Sequence, residues 1–196
     1  MANNPSTPEK QELRIKIRRS LASTDRDLRR VWNSQLCDKI ISWISQNEGI
    51  GTIATYAAIE TEVDLSALHL SLLGQHRFAY PLVSGSVLSF HIVQHPSELR
   101  HGRFNIPEPV PEIHPPVSPH EIDLCLCPGV GFTLAGARLG RGKAYYDTTL
   151  PLLNGKAFRM GVAFDLQLYN DLPVEDHDIS MTHIATPGAI RPTPEY

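Results

Sequence analysis

The chain has 196 residues, 41% hydrophobic and 20% charged, with a net charge of −3. That length holds one domain with a substantial core, and the composition is ordinary for a globular protein. The acidic balance argues against nucleic acid as a partner of the whole surface, and no apolar run is long enough to span a membrane. Three cysteines make no disulfide framework, and the polar start Met1–Lys10 lacks the apolar core of a secretory signal. A reducing cytoplasm with free thiols is the expected setting.

The first helix is predicted to start at Thr7, an N-cap followed by Pro8 at the first helical position. Lys10, Arg14 and Arg18 recur every four residues on one face, beside an apolar stripe of Leu13, Ile17 and Leu21. That basic face is either solvated or lays cations toward an anion held elsewhere. A second helix is expected from near Thr24 to Gln46, with Asp25 and Asp27 in its first turn. Its stripe of Leu28, Trp32, Leu36, Ile40 and Ile44, with Val31 and Trp43, is read as core. Thr52–Ala58 reads as the first strand. Glu62 then lies between that strand's carboxyl end and a helix capped by Thr61 or Asp64, the edge where open α/β sheets bind ligands. Arg77–Tyr80, ended by Pro81, and Val87–Val93 are the next strands, with His91 expected to be exposed. Six prolines from Pro107 to Pro119 predict a loop, either a stiff cover over a site or a surface excursion.

Ile122–Cys127 reads as a buried strand, with Cys125 and Cys127 on one side of it. It feeds the segment from Pro128 to Asp147, which carries Gly129, Gly131, Gly136, Gly140 and Gly142 with the cations Arg138, Arg141 and Lys143. Thr148–Leu153 is expected to be helical. A strand, a glycine-rich basic loop and a helix together suggest a phosphate site. The loop is not a P-loop, because five residues separate Gly136 from Gly142 and Ala144 stands where the magnesium-binding hydroxyl would be. Nor is it a dinucleotide fingerprint, since Tyr145 occupies the place of the third glycine after Gly140 and Gly142. Phe158–Phe164 is a further strand, Asp165–Tyr169 a short helix, Leu172 to Asp178 an acidic loop, and His183–Thr186 the last strand before a polar tail. The nine histidines form no His-Glu-x-x-His pattern, so no zinc site is expected. The alternation of helices and strands predicts an α/β fold with a mixed, mostly parallel sheet between helices. The Lys10/Arg14 face, the basic loop and the acidic loop share one reason if they surround a polyphosphate with magnesium on Asp147 and Asp178.

The run Arg138-Leu139-Gly140-Arg141-Gly142-Lys143-Ala144-Tyr145-Tyr146-Asp147, preceded by Pro128-Gly129-Val130-Gly131-Phe132, resembles the central motif of the 5-formyltetrahydrofolate cyclo-ligases. These are also called 5,10-methenyltetrahydrofolate synthetases. Lys10-Gln11-Glu12-Leu13-Arg14, Glu62-Val63-Asp64, Ile106-Pro107-Glu108-Pro109, Leu172-Pro173, Asp176-His177-Asp178 and Thr186-Pro187 match in the same order, over nearly the whole chain. The resemblance implies a single domain over residues 1–196 with a three-layer helix-sheet-helix fold of the NagB/RpiA/CoA-transferase type. It implies ATP- and magnesium-dependent conversion of 5-formyltetrahydrofolate to 5,10-methenyltetrahydrofolate. Lys10 and Arg14 match nucleotide contacts, and Arg138, Leu139, Gly140, Arg141, Gly142, Lys143, Ala144, Tyr145 and Tyr146 match the phosphate loop. Arg141 through Tyr145 also border the folate, Glu62 matches a folate-contacting acid, and Ala57 falls at a pocket-lining position. Asp147 and Asp178 match the magnesium positions, and Arg141 and Lys143 take the catalytic role through charge stabilisation. A monomer is expected, with a dimer left open.

Two residues depart from the family pattern. Ala144 stands where glycine is usual, and a positive φ there would cost about 1–2 kcal/mol. Thr133 stands where aspartate is common. The rival readings are a noncatalytic nucleotide- or folate-binding protein on the same scaffold, and a sugar-phosphate isomerase, for which no site is recognised.

Overall fold

The computed structural model describes residues 7–102 and 105–194. Thr7 caps helix α1 (Pro8–Ala22), its Oγ1 accepting from the Lys10 N–H at 3.3 Å. Asp25 is itself the cap of α2 (Arg26–Gln46), its Oδ1 accepting from the N–H groups of Asp27 and Leu28. Then come β1 (Thr52–Ala54), α3 (Ser66–Ser71), β2 (Arg77–Ser84), β3 (Val87–Ile92), β4 (Arg100–His101), β5 (Pro107–Glu108) and β6 (Pro116–Val117). The second half supplies β7 (Leu124–Pro128), β8 (Gly131–Thr133), β9 (Arg138–Leu139), α4 (Tyr145–Thr149), β10 (Phe158–Val162), β11 (Leu168–Tyr169), β12 (His183–Ala185) and β13 (Ile190–Pro192).

Eight strands form the main sheet, in the order β13-β12-β10-β7-β1-β2-β3-β6. Every pair from β12 to β2 is parallel, while β13, β3 and β6 add antiparallel edges. This is the mixed, mostly parallel α/β sheet expected. Side chains alternate across it. Ile53, Leu124 and Leu126 face Ile17 and Leu21 of α1, Leu36, Ile40 and Ile44 of α2 and Leu68 of α3. Ala54, Cys125 and Cys127 face the other way, toward Phe132, Leu150 and Leu153. That second layer is thin, made of the five-residue α4, short 3-10 turns and the β8–β9 hairpin. Cys125 and Cys127 do share a face, with their Sγ atoms 3.7 Å apart, and all three cysteines are free.

Several elements differ from expectation, each for a local reason. The strand expected over Thr52–Ala58 stops at Ala54, because Tyr56 and Ala57 turn away to line a cleft. Strand β2 runs through Pro81 rather than ending there. Arg77 and Ala79 bond toward β1, so Pro81, of the same parity, aims its missing N–H where β1 has already ended. Leu28 and Val31 are 43% and 52% exposed rather than core, since the buried face of α2 runs through Leu36, Cys37, Ile40 and Ile44 and its first turns instead give Arg29 and Asn33 to a cavity. His91 is buried, not exposed, with Nδ1 2.9 Å from the His114 carbonyl oxygen, because the proline-rich segment folds over β3 and adds β6 to it. The glycine-rich loop contains the β8–β9 hairpin, and α4 begins at Tyr145, before the expected Thr148. Asp165–Gln167 is a single 3-10 turn, followed by β11 where helix was expected, and the polar tail contributes β13.

The hairpin is anchored by Phe132, which is fully buried. A Cβ on Gly161 of β10 would lie 2.6 Å from its Cε1 and 3.0 Å from Ile184 Cδ1. The ring and the glycine backbone interlock, so overpacking here has no flexible outlet. Gly161→Ala is expected to destabilise the protein by about 2 kcal/mol or more. A thermal unfolding midpoint within a degree of the parent would contradict that packing.

Candidate active site

In the parallel core, the chain leaves β1 toward β2 on one side, and leaves β7 toward β10 on the other. The carboxyl ends of β1 and β7 therefore flank a crevice, the usual ligand position in such sheets. A cleft of 360 Å³ opens there. Tyr56, Ala57 and Glu62 line it from the segment after β1, Pro128 from β7, and Arg138, Gly140, Arg141, Lys143, Ala144, Tyr145, Tyr146 and Asp147 from the basic loop. Ile106, Pro107 and Glu108 line it too, so the start of the proline-rich segment forms part of the cleft wall.

The cations are held by distant parts of the chain. Arg138 is buried, with Nη2 donating to Asp147 Oδ1 at 2.7 Å and its guanidinium 5.3 Å from the centre of the Tyr146 ring. Arg138 Nε and Tyr146 OH are buried without a hydrogen-bond partner in the protein. Such orphaned groups beside a cleft call for a ligand. Burial also holds the Tyr146 hydroxyl protonated, well above the ordinary tyrosine range. Arg141 Nε donates to Glu62 Oε1 at 3.0 Å, and the second Glu62 oxygen accepts the Ile59 N–H at 3.2 Å. Burial raises the Glu62 carboxyl above its usual range, with Arg141 pulling in the opposite direction. Lys143 is exposed on the cleft rim.

Helix α1 presents its basic face inward. Lys10 and Arg14 are only 4% and 9% exposed, on the same buried face as Ile17 and Leu21. Arg14 Nε donates to the Gly140 carbonyl at 2.7 Å. Lys10 Nζ lies 2.7 Å from both Glu175 Oε2 and Asp178 Oδ2. Burial draws the Lys10 ammonium down, but these two carboxylates outweigh it and leave its pKa raised. Glu175, His177 and Asp178 each place a ligand atom within 4.8 Å of the others. Asp178 thus sits beside Lys10 and Asp147 beside Arg138. Leu139, by contrast, is buried in the core, and its carbonyl accepts the Val130 N–H. Sequence reasoning passed over Glu175 as a partner of Lys10, named Arg18 on the basic face of α1 without carrying it into the site, and passed over Tyr56 as a cleft residue. Their signals were the acidic run before Asp178, the four-residue spacing after Arg14, and position at the end of a parallel strand.

Both departures have a structural account. Ala144 is the N-cap of α4 with φ 54° and ψ 12°, in the left-handed region, two residues after Gly142 at φ 92°. Its Cβ is therefore strained. Ala144→Gly is expected to stabilise the fold by about 1 kcal/mol and raise the unfolding midpoint by about 2–4 °C. A lowered midpoint in calorimetry would show that the Cβ earns contacts exceeding the strain. Thr133 is buried in the hairpin turn, where its Oγ1 accepts the Ala137 N–H at 3.1 Å. The hydroxyl performs the turn-closing bond that a carboxylate oxygen would otherwise make.

The comparisons with known proteins bear on the family and the fold. A model of the 5-formyltetrahydrofolate cyclo-ligase family matches residues 6–187. The chain belongs to that family. It is 32% identical over 146 residues to the 5-formyltetrahydrofolate cyclo-ligase of Escherichia coli strain K12, covering 71% of this chain and 79% of that one. It is 38% identical over 92 residues to the cyclo-ligase of Mycolicibacterium smegmatis, a match spanning 47% of each chain. The NMR structure of Aquifex aeolicus 5,10-methenyltetrahydrofolate synthetase superposes with a TM-score of 0.84 at 32% identity, covering 94% of this chain and 93% of that chain. Family and fold together make the chain an enzyme of the folate cyclo-ligase class. Among the described residues, no helix is long and apolar enough to cross a membrane.

Proposed function

We propose that this protein converts 5-formyltetrahydrofolate to 5,10-methenyltetrahydrofolate with ATP, using the cleft between β1 and β7. The observation that carries this reading is the convergence of Arg18, Arg138, Arg141 and Lys143 around one crevice at the carboxyl ends of the strands, with Arg14 bonded to the Gly140 carbonyl at its edge. Four cations at one edge suit a triphosphate, and the apolar wall of Pro81, Val83 and Leu88 suits a flat heterocycle. In the proposed reaction the formyl oxygen attacks the γ-phosphorus and ADP leaves. N10 then attacks the activated carbon, closing the five-membered ring; the N10 proton is lost to water or the leaving phosphate, and phosphate departs with the former formyl oxygen. Arg141 and Lys143 stabilise charge that grows on the transferring phosphoryl group and on the departing phosphate. Because α4 has only five residues, side-chain charge outweighs helix dipole in that role. The apolar wall at Ile106 and Pro107 limits water around the activated intermediate.

The carboxylates of this chain suit a hard divalent cation. Asp178 and Glu175 already surround one positive charge, the Lys10 ammonium, and carboxylate oxygens are the ligands magnesium prefers. Asp178 and Asp147 would hold the ion, whose contribution is to neutralise phosphate charge. Lys10 would then turn from Asp178 toward the nucleotide.

The test is direct. Purified protein mixed with 5-formyltetrahydrofolate, ATP and magnesium should develop the methenyl chromophore, with ADP formed in equal amount. Tight ATP binding without chromophore would instead favour the noncatalytic binder.

A further inference from the structure

We propose that a second cavity beyond Glu62 is the subsite for the glutamate tail of the folate, with Arg26 and Arg30 of α2 receiving its carboxylates. The proposal rests on the reading of the cleft as a folate site. This cavity measures 490 Å³ and shares Tyr56, Ala57, Glu62 and Pro107 with the cleft, so the two are continuous. Its far wall is the first two turns of α2, with Arg26, Arg29 and Arg30, a concentration of cations that the phosphate site leaves unused.

The chemistry of the substrate sets the direction. The formyl group on N5 and the attacking N10 lie at the junction between the pteridine and the aminobenzoyl ring. They must face Arg141 and Lys143. Arg141 is bonded to Glu62, which lies on the border of the two cavities. With the pteridine on the apolar side, against Val83, Leu88 and Tyr145, the ring attached at N10 points across that border. Leu99 and Pro96 give it an apolar lip, and the glutamate beyond it arrives at α2.

The arginines there are differently engaged. Arg29 is held by its bond to the Glu60 carbonyl at 2.7 Å. Arg26 and Arg30 make only long pairs, 3.5 Å to Glu60 and 3.4 Å to Asp27, with side chains 84% and 83% exposed. Exposed pairs of that kind contribute little, so exchanging them for a ligand carboxylate loses little. The guanidinium fork fits a carboxylate with two parallel hydrogen bonds. The acids nearby are largely spoken for. Glu62 is paired with Arg141, and Asp64 Oδ1 accepts the Ser66 N–H at 2.9 Å.

The test compares 5-formyltetrahydrofolate with 5-formyltetrahydropteroate, which lacks the glutamate, in the parent and in the Arg26→Gln/Arg30→Gln double variant. Removing both cations should raise KM for the folate about tenfold. For the pteroate, parent and variant should share one KM, close to that of the variant with folate. Equal shifts with both substrates, or no shift with either, would overturn the subsite. The same two ligands titrated by calorimetry in the absence of ATP give a readout independent of turnover. If neither compound is turned over, the proposed reaction fails; a tail-dependent loss of binding in the variant would still uphold the subsite, and its absence would sink that too.

Discussion

Lys143→Ala is expected to lower kcat/KM for the cyclisation about 100-fold while leaving thermal stability within about 0.5 kcal/mol of the parent. Lys143 is exposed on the rim of the cleft, so its removal leaves no cavity and no buried charge behind. Its cost should fall on the transition state alone, where charge develops on the transferring phosphoryl group. Steady-state kinetics beside a melting curve measure both halves. Activity retained within a factor of two would remove Lys143 from the catalytic role. Arg141→Ala makes an instructive contrast, because it also strips Glu62 of its partner. The Glu62 carboxyl, already raised by burial, should rise further without Arg141. An acid with a folded pKa above its unfolded value binds its proton more tightly when folded. Stability of the Arg141→Ala variant should therefore fall relative to the parent as pH rises from the unfolded carboxylate range through the raised Glu62 value. Melting curves across mildly acidic to neutral pH would reveal that slope, and parallel curves would exclude it.

Arg138→Met is expected to destabilise the fold by about 3 kcal/mol and to abolish most activity. The guanidinium is buried against Tyr146 and bonded at 2.7 Å to Asp147, itself largely enclosed. Removing the cation leaves a buried carboxylate without its counter-charge, which is the costly way to break such a pair. Adding Asp147→Asn should return much of the stability, because the stranded charge is then gone. Activity should not return, since both variants lose Arg138 Nε, partnerless within the protein, and the double variant also loses the Asp147 carboxylate proposed to hold the cation. Recovery of kcat/KM together with stability in the double variant would reduce Arg138 to a structural residue.

The residues of the basic loop were legible because their chemistry is local. Arg138, Arg141, Lys143 and the glycines lie within a few residues of one another, and a short ordered motif carries its own meaning. Helix α1 was legible for a similar reason: Thr7 and Pro8 specify its start through bonds made within one turn. The wider fold class followed from alternating patterns of helix and strand. What could not be read was which way a patterned face points. Lys10 and Arg14 have the spacing of a solvated stripe, yet both are buried, because Glu175, Asp178 and the Gly140 carbonyl meet them from more than a hundred residues away. Leu28 and Val31 have the spacing of core, yet they are exposed, because the buried face of α2 begins only at Leu36 and Cys37.

Ala144 divides the two kinds of knowledge most clearly. Its identity, and the strain it would bear at positive φ, belong to the sequence alone. That φ is in fact 54° depends on how the turn after Gly142 must bend to start α4 against the cleft. Local chemistry, in caps, glycines, charges and their order, is written in the chain because it acts across a few bonds. Burial, partner and direction were decided only by tertiary structure, because each depends on surfaces that the chain brings together after it folds.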